Sequence, residues 1–309
     1  MLYDILIIGG GIAGMTSALY AKRNNKNVLI IEKEAFGGQI ASSPKVENFP
    51  TIQSISGLEL SDRIFTQITE YGVDFELDTV VSLKKENDVF TVTTVYGEYQ
   101  SKTVVIASGV KHKTLRIPGE EDLVGKGISY CAVCDGPFYK GEEVVLVGDG
   151  NTALQYALLL SEYCSKVKVC TLFDRFFGDE SHVTALMKKD NIEVIQNVAT
   201  VAFEKDNSGL TGVVFENRID KSRFTIATKA LFVAIGQIPD NDIYSDLADL
   251  DKYGYILSDE NCTTKTEGLF VAGDCRVKAV RQLTTAAADG AVAALNACNY
   301  ILKHVDLWK

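Results

Sequence analysis

Tyr3-Asp-Ile-Leu-Ile-Ile-Gly-Gly-Gly-Ile-Ala-Gly14 opens the chain, and Val28-Leu-Ile-Ile-Glu32 follows it. Tyr3 to Ile8 is a short apolar run suited to a strand buried on both faces. Gly9, Gly11 and Gly14 then stand in G-x-G-x-x-G spacing, and Ala13 to Lys22 reads as a helix. Val28 to Ile31 is a second strand ending at Glu32, 23 residues after Gly9. This order predicts a βαβ unit that binds a dinucleotide. Glycines permit a tight turn and let a pyrophosphate approach the helix N-terminus, while the terminal acid accepts ribose hydroxyls. The competing reading is a glycine turn that closes an empty unit.

The pattern recurs. Glu143 to Val147 is apolar, Gly148, Gly150 and Ala153 give G-x-G-x-x-A, Leu154 to Glu162 reads as helix, and Val167 to Leu172 as strand. Strand-rich segments lie between and after the two units: Val89 to Val95 with Lys102 to Ala107, then Leu210 to Phe215 with Phe224 to Ile235. Each ends in a glycine turn, at Ser108-Gly109 and Ile235-Gly236. Leu269 to Ala272 reads as a strand, and Thr284 to Leu302 as a long alanine-rich helix. Linkers are expected at 111–119 and around 237–241. The predicted fold is α/β, with two Rossmann-like, three-layer ββα domains, the second inserted in the first. The expected boundaries give one discontinuous domain, 1–112 with 241–309, and a second, 113–240.

The chain has 309 residues, 46% of them hydrophobic and 23% charged, which is ordinary for a globular protein. Its net charge of −10 argues against nucleic acid or an anionic membrane as principal partner. The expected location is the cytoplasm, since Asp4 precedes the apolar start and no basic leader is present. No run approaches the roughly 20 apolar residues needed to cross a bilayer. Of 7 cysteines, only Cys131 and Cys134 are tightly spaced. In a reducing compartment a Cys-x-x-Cys is catalytic or metal-binding more often than structural. Zinc would need two further ligands, which neither the 3 histidines nor Cys164 and Cys170 supply at suitable spacing, so no metal is expected. The remaining cysteines read as small buried groups.

The sequence resembles the low-molecular-weight thioredoxin reductases. The resemblance rests on Gly9-Gly-Gly-Ile-Ala-Gly14, Gly37-Gly-Gln39, Val46-Glu-Asn-Phe-Pro50, Ile117-Pro-Gly-Glu120 and Cys131-Ala-Val-Cys-Asp-Gly136. It continues through Gly148-Asp-Gly-Asn-Thr-Ala153, Gly273-Asp274 and Arg281-Gln282, and so spans nearly the whole chain. It implies FAD in the first unit, held by Gly9, Gly11, Ala13, Gly14 and Glu32, with Gly37, Gly38, Gln39, Asn48 and Gly109 near it. Asp274, after Gly273, would bond the ribityl or pyrophosphate region, and Gln282, beside Arg281, the flavin ring. It further implies a redox-active Cys131–Cys134 disulfide, with Cys134 toward the flavin, Cys131 exchanging with thioredoxin, and Asp135 as proton donor. The inserted domain would rotate about the linkers, and the protein would be a homodimer.

The second unit departs from the family pattern. Where NADPH-using members carry a histidine and three arginines, this chain has Thr171, Leu172, Phe173 and Phe177. Those cations would grip the 2′-phosphate. Gln155 stands in place of a glutamate, and no acid ends the strand for NADH, since Asp174 comes late. The chain therefore most resembles thioredoxin reductases that lack the nicotinamide signature and take electrons from reduced ferredoxin. An acidic ferredoxin would need a basic face here, for which Lys111, Lys113, Arg116 and Lys126, or Arg276, Lys278 and Arg281, are candidates. The alternative is a relaxed NADH or NADPH site using Arg175. A flavin reductase or ferredoxin–NADP reductase is disfavoured by the cysteine pair, and a flavin sensor without turnover by Asp135. Trp308 near the terminus either stacks on the flavin or packs on its own domain.

Overall fold

The computed structural model describes residues 1–43 and 46–308. The chain divides into two compact units, Met1–Lys111 with Ile238–Lys309, and His112–Gln237. Lys309, the end of the expected tail, lies outside the described residues.

In the first unit the strands Leu2–Ile8, Val28–Glu32 and Asp74–Leu77 run parallel, and Glu98–Ile106 joins the other side of Leu2–Ile8. The far edge of Glu98–Ile106 is shared. Its first half pairs antiparallel with Val89–Thr94 and its second half parallel with Leu269–Val271. Alternation along the central strands explains three layers. Ile5, Ile7, Val28 and Ile30 face a core built with the helices Ile12–Arg23 and Leu283–Lys303. Leu6, Ile8, Leu29 and Ile31 face Leu83 of the strand Val80–Glu86, which pairs antiparallel with Val89–Thr94, and Phe90 and Val92 of the latter. Both faces are covered, so the strand reads as an unbroken apolar run rather than an alternating one.

In the second unit a parallel sheet runs, in spatial order, Ile192–Ile195, Lys166–Cys170, Glu143–Val147, Leu231–Val233 and Ile128–Ser129. A separate antiparallel sheet holds Val198–Asp206, Gly209–Asn217 and Arg223–Ala227. The apolar stretch 224–235 is thus divided between two sheets. At its break the Thr228 hydroxyl accepts the Ala230 N–H at 3.1 Å, which turns the chain. The strand expected to reach Leu172 ends at Cys170. There the Thr171 hydroxyl donates to the Phe173 carbonyl at 2.7 Å and bends the backbone.

Two glycines set how closely strand and helix meet in the first unit. Gly9 has φ 110°, and a Cβ on it would overlap the Ala107 carbonyl. A Cβ on Gly14 would fall inside the Gly9 carbonyl oxygen. Both partners are backbone, so no rotamer change relieves the overlap. Gly14→Ala should lower stability by about 1 to 3 kcal/mol, read as a reduced denaturation midpoint. Gly11→Ala, with open space around its Cβ, should leave it near the parent value.

Candidate active site

Parallel strands bring their C-terminal ends to one sheet edge, where ligands of open α/β sheets bind. In the first unit Ile8 lies level with Ile31 and Ile106, and Ile106 with Val271. The Gly9–Gly14 turn, Glu32, Gly109 and Gly273-Asp274 therefore emerge side by side. Helix Ile12–Arg23 starts at Gly11 with no side-chain cap, so its first N–H groups are open to an anion. Glu32 is buried, and its carboxylate accepts the Gly10 N–H at 2.6 Å and the Glu34 N–H at 3.0 Å. Ala13 packs at the turn, against the place a Gly273 Cβ would take. A Cβ on Gly109 would meet open space.

Gly38 and Gln39 begin a 3-10 turn, Gly38–Ser42, and the Gln39 amide donates to the Val110 carbonyl. Asn48 is exposed and its amide donates to the Gln282 carbonyl oxygen at 3.2 Å. Gln282 caps helix Leu283–Lys303. Arg281 stacks on Tyr255, 4.2 Å from the ring centre, and donates to the Asp274 carbonyl at 3.2 Å. Trp308 packs on its own unit, its indole N–H donating to the Asp88 carbonyl at 3.0 Å.

Asp274 holds one buried carboxylate oxygen, Oδ1, without a hydrogen-bond partner. Burial raises its pKa, while the Lys278 and Arg281 charges oppose the rise. A buried acceptor without a partner, beside open helix N–H groups and a side-chain-free turn, fits a ligand carrying both hydroxyls and phosphates. That donor set fits FAD.

The turn carrying Asp274 is held by Asp289, a residue the sequence reading did not single out. Asp289 accepts the Gly273 N–H at 3.1 Å, two Arg276 nitrogens at 2.9 Å each and the Lys278 ammonium at 2.8 Å. All three charged side chains are at most 10% exposed. This corrects one expectation. Arg276 and Lys278 are not part of a solvated basic face, because they are consumed internally as the counter-charges of a buried carboxylate. Burial raises the Asp289 pKa, but the hydrogen bonds from Arg276 and Lys278 outweigh it and hold it below the usual carboxylate range. Its one sequence signal was an acid in an otherwise alanine-rich helix face.

In the second unit Cys131 and Cys134 form a disulfide, with Cα atoms 5.3 Å apart. They follow the edge strand Ile128–Ser129, and Ser129 is level with Phe232, one residue before the strand end at Val233. Val233 in turn pairs with Val147, which precedes the Gly148 turn. The disulfide and the second glycine turn thus share a sheet edge. The Cys134 N–H points to the Cys131 sulfur at 3.2 Å. Tyr130, next to Cys131, stacks on His112 at 5.0 Å and donates to buried Glu120 at 2.7 Å, which fixes the backbone entering the site. Asp135 accepts the Ser129 hydroxyl at 2.6 Å, and its other oxygen is buried without a partner. Burial raises the Asp135 pKa, and the Ser129 hydrogen bond partly offsets this. Among the described residues no cluster of His, Cys, Asp or Glu is arranged to hold a metal. The other five cysteines are buried free thiols. Burial pushes Cys164 up to about 11 and Cys170 up to about 12.

Beyond the second strand of this unit the chain carries an aromatic pair flanked by two arginines. Phe173 and Phe177 meet edge to face at 5.2 Å, with Arg218 over the first ring and Arg175 over the second. The Phe177 N–H donates to the Asp149 carbonyl at 2.7 Å, and the Asp179 N–H to the Asn151 side chain at 2.7 Å. The cations at this place are thus Arg175 and Arg218, each lying over a phenyl ring.

Removing the clamp should be costly. Asp289→Ala leaves Arg276 and Lys278 buried without a counter-charge, a loss of about 3 to 5 kcal/mol, measurable by chemical unfolding of the ligand-free protein. Because the Asp289 pKa is depressed in the folded state, its contribution is present at neutral pH and fades as pH falls through the folded value. The parent and the variant should therefore converge in acid.

Residues 3–290 match the family model described as pyridine nucleotide-disulphide oxidoreductase. Members of this family bind FAD. The chain is 34% identical over 300 residues to a thioredoxin reductase of Listeria monocytogenes, covering 97% of this chain and 94% of that one. It is 38% identical over 299 residues to a 34.2 kDa protein in a rubredoxin operon of Clostridium pasteurianum, covering 96% and 97%. A crystal structure of thioredoxin reductase from Streptococcus pyogenes superimposes with TM-score 0.94 at 34% identity, covering 98% and 99%. The chain belongs to the low-molecular-weight thioredoxin reductases, a family of flavoprotein disulfide oxidoreductases.

Proposed function

We propose that this chain binds FAD at the strand ends of its first unit and reduces the disulfide of thioredoxin through Cys131 and Cys134. The observation that carries the reading is the disulfide beside Asp135, whose Oδ1 is buried without a partner, in a chain whose other unit presents an open dinucleotide turn. Gly9, Gly11, Ala13 and Gly14 would admit the pyrophosphate, Glu32 a ribose, and Asp274 the ribityl chain. Gly38, Gln39, Asn48, Gly109, Arg281 and Gln282 would surround the ring end. When bound, FAD accepts electrons singly or in pairs and hands a pair to a disulfide. Cys131 is the exchanging sulfur, Cys134 the one reduced first, and Asp135 the proton donor. The proposal includes a homodimer working in the cytoplasm, as the family resemblance implies.

The donor we propose is reduced ferredoxin. Support comes from Thr171, Leu172, Phe173 and Phe177, where nicotinamide users carry cations. Lys113, Arg116 and Lys126 of the second unit are exposed, as cations that meet an acidic donor must be, and so is Lys111 of the first. Two reduced ferredoxins, two protons and one thioredoxin disulfide yield two oxidised ferredoxins and one dithiol. The competing donor is NADH or NADPH, favoured by the pyridine nucleotide family match over residues 3–290 and by Arg175 and Arg218.

Mixing anaerobic enzyme separately with NADPH, NADH and reduced ferredoxin, while following flavin absorbance, separates the donors. Bleaching by ferredoxin within the turnover time, and none by either nucleotide, is expected. Fast bleaching by NADPH would sink the ferredoxin assignment. In the same assay Cys134→Ser should still bleach but lose thioredoxin reduction by at least about a hundredfold. Turnover at the parent rate would remove the cysteines from the mechanism.

A further inference from the structure

Ser129 is 6% exposed and stands between the acid and the exchanging cysteine. Its hydroxyl donates to Asp135 Oδ2 at 2.6 Å and accepts the Cys131 N–H at 3.0 Å. The Cys131 carbonyl is 3.3 Å from the same hydroxyl, a weaker share of one proton. The Asp135 N–H closes the ring by donating to that carbonyl at 3.0 Å. Asp135 Oδ1 is buried and has no partner among the described residues.

We propose that Ser129 is a positioning residue for disulfide exchange, holding Oδ2 as an acceptor so that the Asp135 proton resides on Oδ1. This deepens the thioredoxin-reductase reading and rests on the exchange role of Cys131 in it. A hydroxyl that donates to Oδ2 makes that oxygen the poorer place for the acid proton. Oδ1, which the hydroxyl does not reach, is then the oxygen left to carry the proton and pass it to a sulfur during exchange. The titratable groups near Asp135 are Tyr139 and Tyr156, whose hydroxyl pKa values its charge pushes upward, after burial.

The exchange balances as follows. The Cys131 thiolate attacks one sulfur of the partner disulfide. The partner S–S bond breaks, a mixed disulfide forms and one partner thiolate leaves, taking the Asp135 proton. The Cys134 thiol loses its proton to the resulting Asp135 carboxylate, and its thiolate attacks the Cys131 sulfur. That closes the enzyme disulfide and releases the second partner thiolate, which takes a proton from water. Two electrons pass from the enzyme dithiol to the partner, and the hydroxide so formed neutralises the proton lost when Cys131 ionised. Ser129 keeps Oδ1 as the donating and receiving oxygen throughout.

The test uses the holoenzyme reduced with dithiothreitol and desalted, so no electron donor enters. Its single-turnover reaction with oxidised thioredoxin is followed from pH 5 to 9 for the parent, Ser129→Ala, Ser129→Thr, Asp135→Asn and the Ser129→Ala/Asp135→Asn double variant. Ser129→Ala should slow exchange about tenfold or more through misorientation. Without the hydroxyl, the Asp135 carboxylate loses its one stabilising bond, so the limb that falls as Asp135 deprotonates should move up by about one pH unit. Ser129→Thr should restore rate and profile. The double variant should be no slower than Asp135→Asn, since Ser129 acts through Asp135. A Ser129→Ala profile matching the parent would overturn the proposal. So would a pH-independent loss, or a double variant whose losses multiply. If the parent reduces a small aromatic disulfide but not thioredoxin, the partner assignment fails, while the same comparison with that reagent still decides the role of Ser129.

Discussion

The Gly9 carbonyl sits where a Gly14 side chain would be, and this backbone contact governs the first unit. It brings the helix Ile12–Arg23 down onto the strand ends without a side chain between them. The open N–H groups of that helix then face the same edge as Glu32, Gly109 and Asp274. The second unit repeats the device with a looser fit. There a Cβ on Gly148, φ 150°, would meet the Ala234 carbonyl, and Ala153 replaces the third glycine. One steric rule thus builds two nucleotide-type edges, and the side chains around each decide what it does.

At the first edge the deciding term is charge. The chain carries a net −10, and its buried carboxylates need company. Asp289 has it, from Arg276 and Lys278, and the resulting cluster pins the Gly273 N–H. Asp274, one residue on, keeps an unsatisfied oxygen. The contrast separates a carboxylate spent on structure from one left available for a ligand. It also removes two cations, Arg276 and Lys278, from the solvated surface.

At the second edge the deciding term is desolvation. Asp135 is held by one hydroxyl, and burial raises its pKa despite that bond. Tyr130 and Glu120 hold the backbone entering Cys131. Beyond the neighbouring strand, phenylalanines occupy positions where a phosphate-gripping site needs cations. Arg175 and Arg218 lie over those rings, so this edge carries aromatic and cationic groups together.

Much of this was legible in the residues alone. The two glycine turns, the central strands and the cysteine pair stand out because buried parallel strands force an apolar run and tight turns force glycine, both local signals. The sequence by itself therefore determined the α/β class, the two units and the residues at each strand end. Other features depended on contacts between distant residues. Nothing local distinguishes Arg276 and Lys278 from surface cations, because their partner Asp289 lies a turn and a helix away. Nothing local shows that the apolar stretch 224–235 serves two sheets, or that two residues, Ile128 and Ser129, form an edge strand. Only the tertiary structure decided those, and with them which carboxylates are neutralised, which are left open, and which hydroxyl reaches Asp135. Burial and charge pairing are properties of three-dimensional neighbours, and sequence spacing does not carry them.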